Sequence, residues 1–112
     1  MKRADSLKRK KEFRYTYRAG RSYSNRLFVC VSALNHNPKT FLGFSVSKKI
    51  GNAVTRNRVK RRIREAATPM IPEMKQGYNV ILIAKASVLD SSFQDLCESV
   101  HQVLVKAGLL YN

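Results

Sequence analysis

The residues best suited to chemistry form a run of cations and amides between Lys48 and Arg64. These seventeen positions hold eight Lys or Arg residues and no Asp or Glu. Arginine presents a planar fork of donors that matches phosphate oxygens, whereas lysine offers a compact point charge. Like charges on adjacent helical turns repel each other, so a run without interspersed acids predicts a bound polyanion rather than a solvated face. The candidate anion-binding residues are Lys48, Lys49, Asn52, Arg56, Asn57, Arg58, Lys60, Arg61, Arg62 and Arg64.

A second basic segment, Lys8–Arg26, interleaves cations with aromatic rings. Proteins hold single-stranded nucleic acid by stacking bases on rings while cations neutralise the phosphates. The same spacing allows a simpler interpretation, in which Phe13 and Tyr17, four residues apart, attach a helix to the core. Both interpretations are open at this stage. The rings are Phe13, Tyr15 and Tyr17, and the interleaved cations are Lys10, Lys11, Arg14 and Arg18.

Carboxylates and histidines are too scattered to predict a catalytic centre. A two-metal nuclease needs several carboxylates around ions about 4 Å apart. No pair among the seven Asp and Glu residues has a ligand-like spacing within one predicted element. His36 and His101 lack an obvious carboxylate or nucleophile partner, and no P-loop, GxSxG or zinc signature occurs. The sequence therefore predicts no catalytic residue and no metal site in this polypeptide.

The net charge of +15 lies in the first part of the chain. Residues 1–65 hold 19 Lys or Arg and 3 acids, whereas residues 66–112 hold 3 and 4. A chain of 112 residues suits one compact domain. We therefore expect residues 1–112 to form a single RNA-binding domain whose C-terminal part is scaffold. The polar composition of residues 1–9 predicts a flexible segment.

Three features predict a cytoplasmic protein without a membrane segment. No apolar run approaches the roughly 18 residues of a membrane span. The basic N-terminus has no apolar segment behind it and does not resemble a secretory signal. Cys30 and Cys97 lie in apolar runs without metal-ligand spacing, which favours buried free thiols in a reducing compartment.

The first part of the chain predicts a helix followed by two strands. The pattern over Lys10–Ala19 suits a short helix that ends before Gly20. The apolar runs Arg26–Leu34 and Phe41–Ser47 are typical of strands. The turn residues Asn35–Pro38 lie between them, and we expect the two strands to form an antiparallel hairpin.

The second part predicts an arginine-rich helix, a central strand and a core helix. Asn52 is a plausible cap for a helix to Thr68 whose narrow apolar stripe is Val59, Ile63 and Ala66. The strongly apolar run Asn79–Ala86 predicts a central strand. These elements predict a small α+β sandwich with a sheet of about four strands. The last helix, capped by Ser92 and Asp95 and reaching Lys106, is expected to bury Phe93, Leu96, Cys97, Val100, Val103, Leu104 and Ala107.

These residues together resemble one family. The run SKKIGNAVTRNRVKRRIRE, from Ser47 to Glu65, resembles the signature of the bacterial ribonuclease P protein subunit, with its Arg-Asn-Arg core at Arg56–Arg58. The opening LKRKKEFRYTYRAGRSYSNRLFV and the later run GYNVILIAKA are similar to the same family. The resemblance spans roughly residues 5–107.

The resemblance implies a particular form of the α+β fold. It implies a two-layer α-β-β-β-α-β-α sandwich with a roughly four-stranded sheet, similar to the second domain of ribosomal protein S5. A short additional strand is expected near Ser22–Asn25. A left-handed βαβ crossover is expected to run through the arginine-rich helix.

The resemblance also implies partners and residue roles. The ten residues from Lys48 to Arg64 named above would bind the catalytic RNA subunit, and Phe13, Tyr17, Arg14 and Lys10 would bind the 5′ leader of precursor tRNA. Mg²⁺ ions bound by the RNA would carry out hydrolysis in the RNA–protein holoenzyme. The polypeptide itself would bind no cofactor and would require neither a membrane nor a protein partner.

Two other classes of RNA or DNA binder stay open on composition alone. A structural RNA-binding protein, such as a small ribosomal component, would carry a similar charge. A DNA-binding regulator could insert the arginine-rich helix into a major groove, although no helix-turn-helix spacing precedes Asn52. Some members of the family that this chain resembles carry an aromatic residue where this chain has Val31, so the resemblance implies no base contact from that position.

Overall fold

The computed structural model describes residues 3–111 and has the predicted element order. The α-β-β-β-α-β-α arrangement is confirmed, including the short additional strand after the first helix. Short 3₁₀ turns occur at Arg3–Asp5, Thr68–Glu73 and Ala86–Asp90. The main elements are α1 (Lys10–Ala19), β1 (Arg21–Ser24), β2 (Phe28–Leu34), β3 (Phe41–Ser45), α2 (Ala53–Ala67), β4 (Tyr78–Ala84) and α3 (Phe93–Lys106).

The four strands form one mixed sheet in the order β1-β2-β4-β3. Strand β4 pairs antiparallel with all seven residues of β2 and parallel with all five residues of β3. The predicted hairpin between β2 and β3 is therefore wrong, because β4 lies between them. The parallel pairing makes β3-α2-β4 a crossover connection, and its left-handed sense stays a prediction.

Hydrogen bonds in the loop after β2 explain why no hairpin forms. The Asn35 N–H donates to the Gly77 carbonyl oxygen at 3.0 Å. The Thr40 hydroxyl donates to the Lys75 carbonyl oxygen and accepts from the Tyr78 N–H. The loop after β2 is therefore attached to the segment that leads into β4, and β4 continues from it between β2 and β3.

One face of the sheet, here called the core face, packs against α2 and α3. Cross-strand partners lie on the same face, so the pairs Cys30↔Leu82 and Leu42↔Val80 place these residues together. The predicted stripe of α2 is buried on this face, as is most of the predicted stripe of α3. The core cluster includes Phe28, Cys30, Leu42, Val80, Leu82, Val59, Ile63, Ala66, Leu96, Val100, Val103 and Leu104.

The prediction that Phe93 belongs to this core is wrong, because 43% of it is exposed. Phe93 is the first residue of α3, which begins after the predicted cap. The Ser92 hydroxyl accepts from the Asp95 N–H at 3.0 Å, and the Asp95 carboxylate accepts from the Ser92 N–H. The cap is thus confirmed, but Phe93, the residue immediately after it, lies at the edge of the core, whereas Leu96 in the same turn is buried.

The opposite face of the sheet, here called the cleft face, carries α1. Gly43 belongs to this face because it pairs with Ile81 rather than with a core-face residue. A Cβ atom at Gly43 would lie only 2.7 Å from Cζ of Phe13. Thr16 in the middle of α1 is fully buried, and its hydroxyl donates to the Glu12 carbonyl oxygen. Helix α1 therefore docks through Phe13 and Thr16, and Gly43 provides the space for the Phe13 ring.

The segment before α1 contacts the sheet at residues 6 and 7, and the flexibility expected over residues 1–9 stays a prediction. Ser6 forms an isolated parallel bridge with Leu42, and the Leu7 N–H donates to the Leu42 carbonyl oxygen at 3.1 Å. Leu7 is buried beside Gly43. Leu7 thus packs in an apolar site beside the edge strand β3, although the segment around it is polar. Residues 1 and 2 lie outside the described part of the chain.

Substitution of Gly43 by alanine should weaken the attachment of α1. The added methyl group would overlap the Phe13 ring, and overpacking of this kind costs about 1–3 kcal/mol of unfolding free energy. Urea denaturation of Gly43→Ala, Phe13→Leu and the double variant measures the effect. Phe13→Leu removes the ring and should restore part of the stability that Gly43→Ala loses. Strictly additive changes in unfolding free energy would instead show that the two residues are not in contact.

Candidate nucleic-acid interface

Two of the candidate anion-binding residues, Asn52 and Arg56, form hydrogen bonds to the backbone at the start of α2. The Asn52 side-chain oxygen accepts from the Thr55 N–H at 2.9 Å and caps the helix. The Arg56 guanidinium donates to the Gly51 carbonyl oxygen at 2.9 Å, which fixes the preceding loop against the first turn. Lys48 and Lys49 are exposed in that loop, immediately before buried Ile50. The loop therefore presents two cations from a fixed position.

The outer face of α2 presents side chains that have no hydrogen bond or ion pair to another residue within 3–111. The inner face of α2 packs against the core through buried Val59 and Ile63. With a period of 3.6 residues, these two positions fix the orientation of the whole helix. The residues on the outer surface are exposed Asn57, Arg58 and Arg61 and half-buried Lys60.

Two further signature arginines contact the body of the protein. The Arg62 guanidinium lies 3.4 Å from the Ser91 carbonyl oxygen, in the segment that leads into α3. The Arg64 guanidinium lies over the Phe44 ring, 5.8 Å from its centre. The ten predicted residues are therefore brought together on one helix and its loop, but Asn52, Arg56, Arg62 and Arg64 also have structural contacts.

Almost no carboxylate offsets this charge. Within residues 3–111, the single ion pair joins Lys39 to Asp5 at 2.9 Å. On α1, Glu12 is occupied as a cap, since its carboxylate accepts from the Arg9 N–H at 3.2 Å. Uncompensated cations that share one surface raise the local concentration of anionic ligands. The charge pattern of both helices therefore favours polyanion binding.

The residues predicted to bind a leader line one cavity beside α1. The rings of Phe13 and Tyr17 have their centres 6.5 Å apart and are tilted by 43°. Phe13 is half-buried against the sheet, whereas 45% of Tyr17 is exposed. The simpler interpretation thus applies to Phe13, which attaches the helix, but not to Tyr17. The cavity has a volume of about 420 Å³ and is lined by Lys8, Lys10, Phe13, Arg14 and Tyr17.

A second cavity, which the sequence pattern did not predict, lies on the other flank of α1. The signals that could have indicated it are two asparagines in the loop after β2 and the asparagine that interrupts the apolar run of β4. The cavity is about 590 Å³ in volume and is lined by Arg9, Lys11, Glu12, Arg14, Tyr15, Arg18, Asn35, Asn37, Phe41 and Asn79.

Groups capable of redox or metal chemistry do not converge in the described residues. Within residues 3–111, no cluster of three His, Cys, Asp or Glu side chains could hold a metal ion. Cys30 and Cys97 are free thiols. Burial raises the pKa of the Cys30 thiol to about 12, so this thiol stays protonated and unreactive at neutral pH. His36 and His101 are both exposed.

Comparison with known proteins identifies the family. A family model described as Ribonuclease P matches residues 1–108. The chain belongs to the ribonuclease P protein family. A ribonuclease P protein component from Clostridium botulinum (strain Loch Maree) is 45% identical over 109 residues, which cover 96% of this chain and 97% of the relative. One from Symbiobacterium thermophilum is 40% identical over 111 residues, with 98% and 96% covered.

A solved structure agrees with this assignment. The ribonuclease P protein from Staphylococcus aureus superposes with a TM-score of 0.87 at 34% identity, covering 96% of this chain and 99% of that one. The resemblance drawn from the sequence and the α+β fold class are therefore confirmed. In the part of the chain that the structure describes, no helix has the length and apolar character needed to cross a membrane.

Replacement of Asn52, the cap of α2, and of Asn57 within α2 should show which of the two asparagines stabilises the fold. Asn52→Ala removes the helix cap and should lower the unfolding free energy by about 1 kcal/mol. Asn57→Ala makes the same chemical change at an exposed position without an internal hydrogen bond, and should leave stability within about 0.5 kcal/mol of the wild type. Urea denaturation distinguishes them. Equal losses for the two variants would contradict the assigned division of roles.

Proposed function

We propose that this chain is the subunit of ribonuclease P that binds the catalytic RNA through α2 and the 5′ leader of precursor tRNA through α1. In doing so it promotes endonucleolytic removal of the leader to give the mature 5′ end. The observation that carries the proposal is the absence of acids from Lys48 to Arg64, in a chain of this family.

Contact with the RNA subunit is supported by the outer face of α2. Asn57, Arg58 and Arg61 project from a helix whose opposite side is fixed in the core. Guanidinium groups can bind phosphate oxygens through two parallel hydrogen bonds. If the whole surface neutralises about six phosphates, the logarithm of the binding constant should fall with the logarithm of salt concentration with a slope of roughly −4 to −5.

Contact with the leader is supported by the cavity beside Phe13 and Tyr17. The exposed Tyr17 ring can stack on an unpaired base, and Lys10 and Arg14 line the same cavity for the adjoining phosphates. Base stacking on a protein ring contributes roughly 1–3 kcal/mol and tolerates any base. Such a site would distinguish precursor from mature tRNA, since only the precursor has a leader.

The role of the polypeptide would be electrostatic rather than catalytic. The RNA subunit and the precursor are both polyanions, and a protein of charge +15 between them would relieve their repulsion. We assign hydrolysis and the required Mg²⁺ to the RNA, and we assign no catalytic residue to this chain. The cytoplasmic location and the independence from other protein partners expected from the sequence stay predictions.

Cleavage of precursor tRNA by a bacterial ribonuclease P RNA, with and without this protein, tests the proposal. At low millimolar Mg²⁺ the protein should restore cleavage at the mature 5′ end, because it neutralises phosphates that Mg²⁺ no longer screens. An unchanged Mg²⁺ requirement would overturn the proposal and favour a structural RNA-binding role.

Two variants in the same assay separate the two binding surfaces. Arg58→Gln should weaken binding to the RNA subunit by roughly 1–2 kcal/mol while leaving the preference for precursor over mature tRNA intact. Tyr17→Ala should reduce that preference and leave binding to the RNA subunit unchanged. Thermal denaturation provides the control, because both side chains are exposed and neither variant should unfold the protein.

A further inference from the structure

The ring of Phe44 lies against the guanidinium group of Arg64, near the C-terminal end of α2. The guanidinium carbon is 5.8 Å from the centre of the ring, which is within the range of a cation–π contact. No other arginine of the described residues makes a contact of this kind with a ring. Arg64 is exposed, and its side chain has neither a hydrogen bond nor an ion pair to another residue within 3–111.

The sheet and the helix together set the position of this contact. Phe44 pairs with Leu82 and is half-buried against the core cluster on the core face of the sheet. Strand β3 is an edge strand, which leaves part of the ring open to the side chain of Arg64. Fully buried Ile63 fixes the rotation of α2 and therefore the direction of the next residue along the helix. The fold itself thus brings the ring and the guanidinium group together.

A cation–π contact orients an arginine without using its hydrogen-bond donors. An ion pair with a carboxylate would also hold Arg64, but it would occupy N–H groups and offset the charge. A ring instead contacts the flat face of the guanidinium group and leaves the N–H groups around its edge available. A long side chain that is already ordered loses less freedom when it binds a ligand, which increases affinity. The ring therefore provides an orientation that the acid-free run from Lys48 to Arg64 does not obtain from ion pairs.

The neighbours of Arg64 on α2 are held differently. Arg62 directs an N–H group to the Ser91 carbonyl oxygen, whereas Arg64 keeps its donors free. Lys60 lies one helical turn before Arg64 and therefore on the same flank of α2. We propose that Phe44 is a positioning residue that holds the Arg64 guanidinium ready to bind a phosphate of the catalytic RNA subunit. This inference rests on the proposed function and adds to it a residue outside the basic run.

The test measures the affinity of the full-length protein for a bacterial ribonuclease P RNA. Phe44→Leu keeps an apolar side chain towards the core but should weaken binding about three- to fivefold, because Arg64 must then be ordered on binding. Phe44→Tyr keeps the ring and should bind as the wild type does. Arg64→Gln should weaken binding about tenfold, and Phe44→Leu should cause no further loss in that variant.

The salt dependence of binding separates positioning from direct contact. Arg64→Gln removes one phosphate contact, so the slope of the logarithm of the binding constant against the logarithm of salt concentration should become shallower by about 1. Phe44→Leu leaves the charge in place, and its slope should equal that of the wild type.

Tyr23 provides a matched control at the opposite edge of the sheet. It pairs with Cys30, whose other partner is Leu82, so it lies in the same row across the sheet as Phe44. Tyr23 is also half-buried against the core, but within the described residues no cation lies over its ring. Tyr23→Leu should lower the unfolding free energy in urea to a similar extent as Phe44→Leu and should bind the RNA as the wild type does.

An NMR measurement on the free protein examines the contact itself. The ring current of Phe44 should shift the Arg64 side-chain signals upfield, and Phe44→Leu should abolish this shift. The inference is overturned if the shift is absent, if Phe44→Leu binds RNA as tightly as the wild type, or if its loss simply adds to that of Arg64→Gln. Equal weakening by Tyr23→Leu would also overturn it, because the effect would then come from packing of the sheet. Failure of the wild type to bind the RNA subunit would instead contradict the proposed function.

Discussion

Strand β4 pairs with β2 along one edge and with β3 along the other, and both of its faces are covered. This position decides where the basic helices lie. The chain must leave the sheet after β3 and return through α2, which places α2 on the core face beside α3. Helix α1 then covers part of the cleft face, against Gly43. The two most basic helices therefore lie on opposite faces of one small sheet, where each can present its cations to a separate polyanion.

The same arrangement explains how so much positive charge is tolerated. A narrow buried stripe that includes Val59 and Ile63 attaches α2 to the core. Three arginines of α2 also contact other groups of the chain: Arg56 and Arg62 contact carbonyl oxygens, and Arg64 lies over an aromatic ring. Those contacts orient the helix but do not neutralise it. Binding of a polyanion would relieve the remaining repulsion and would therefore also stabilise the folded chain.

Local signals predicted the helices, whereas pairing between strands depends on contacts between distant residues, which no local pattern specifies. The bounds of α1 agree because its polar and aromatic spacing and Gly20 define them locally. The cap at Asn52 likewise fixed the start of α2. The hairpin prediction failed because turn residues indicate that a strand ends but not which strand becomes its neighbour. The second cavity beside α1 was missed for the same reason, since it joins residues from α1, β3 and β4 with the loop after β2.

If α2 and α1 bind different RNAs on opposite faces of the sheet, different RNAs should protect the lysines of each helix from modification, and lysine footprinting measures this. Acylation of lysine amines is compared by mass spectrometry for the free protein, its complex with the RNA subunit, and that complex with precursor or mature tRNA. We expect the RNA subunit alone to protect Lys48, Lys49 and Lys60, and Lys8, Lys10 and Lys11 to become protected only with precursor. Protection of both sets by the RNA subunit alone, or equal protection by mature tRNA, would show that the two helices do not bind separate RNAs.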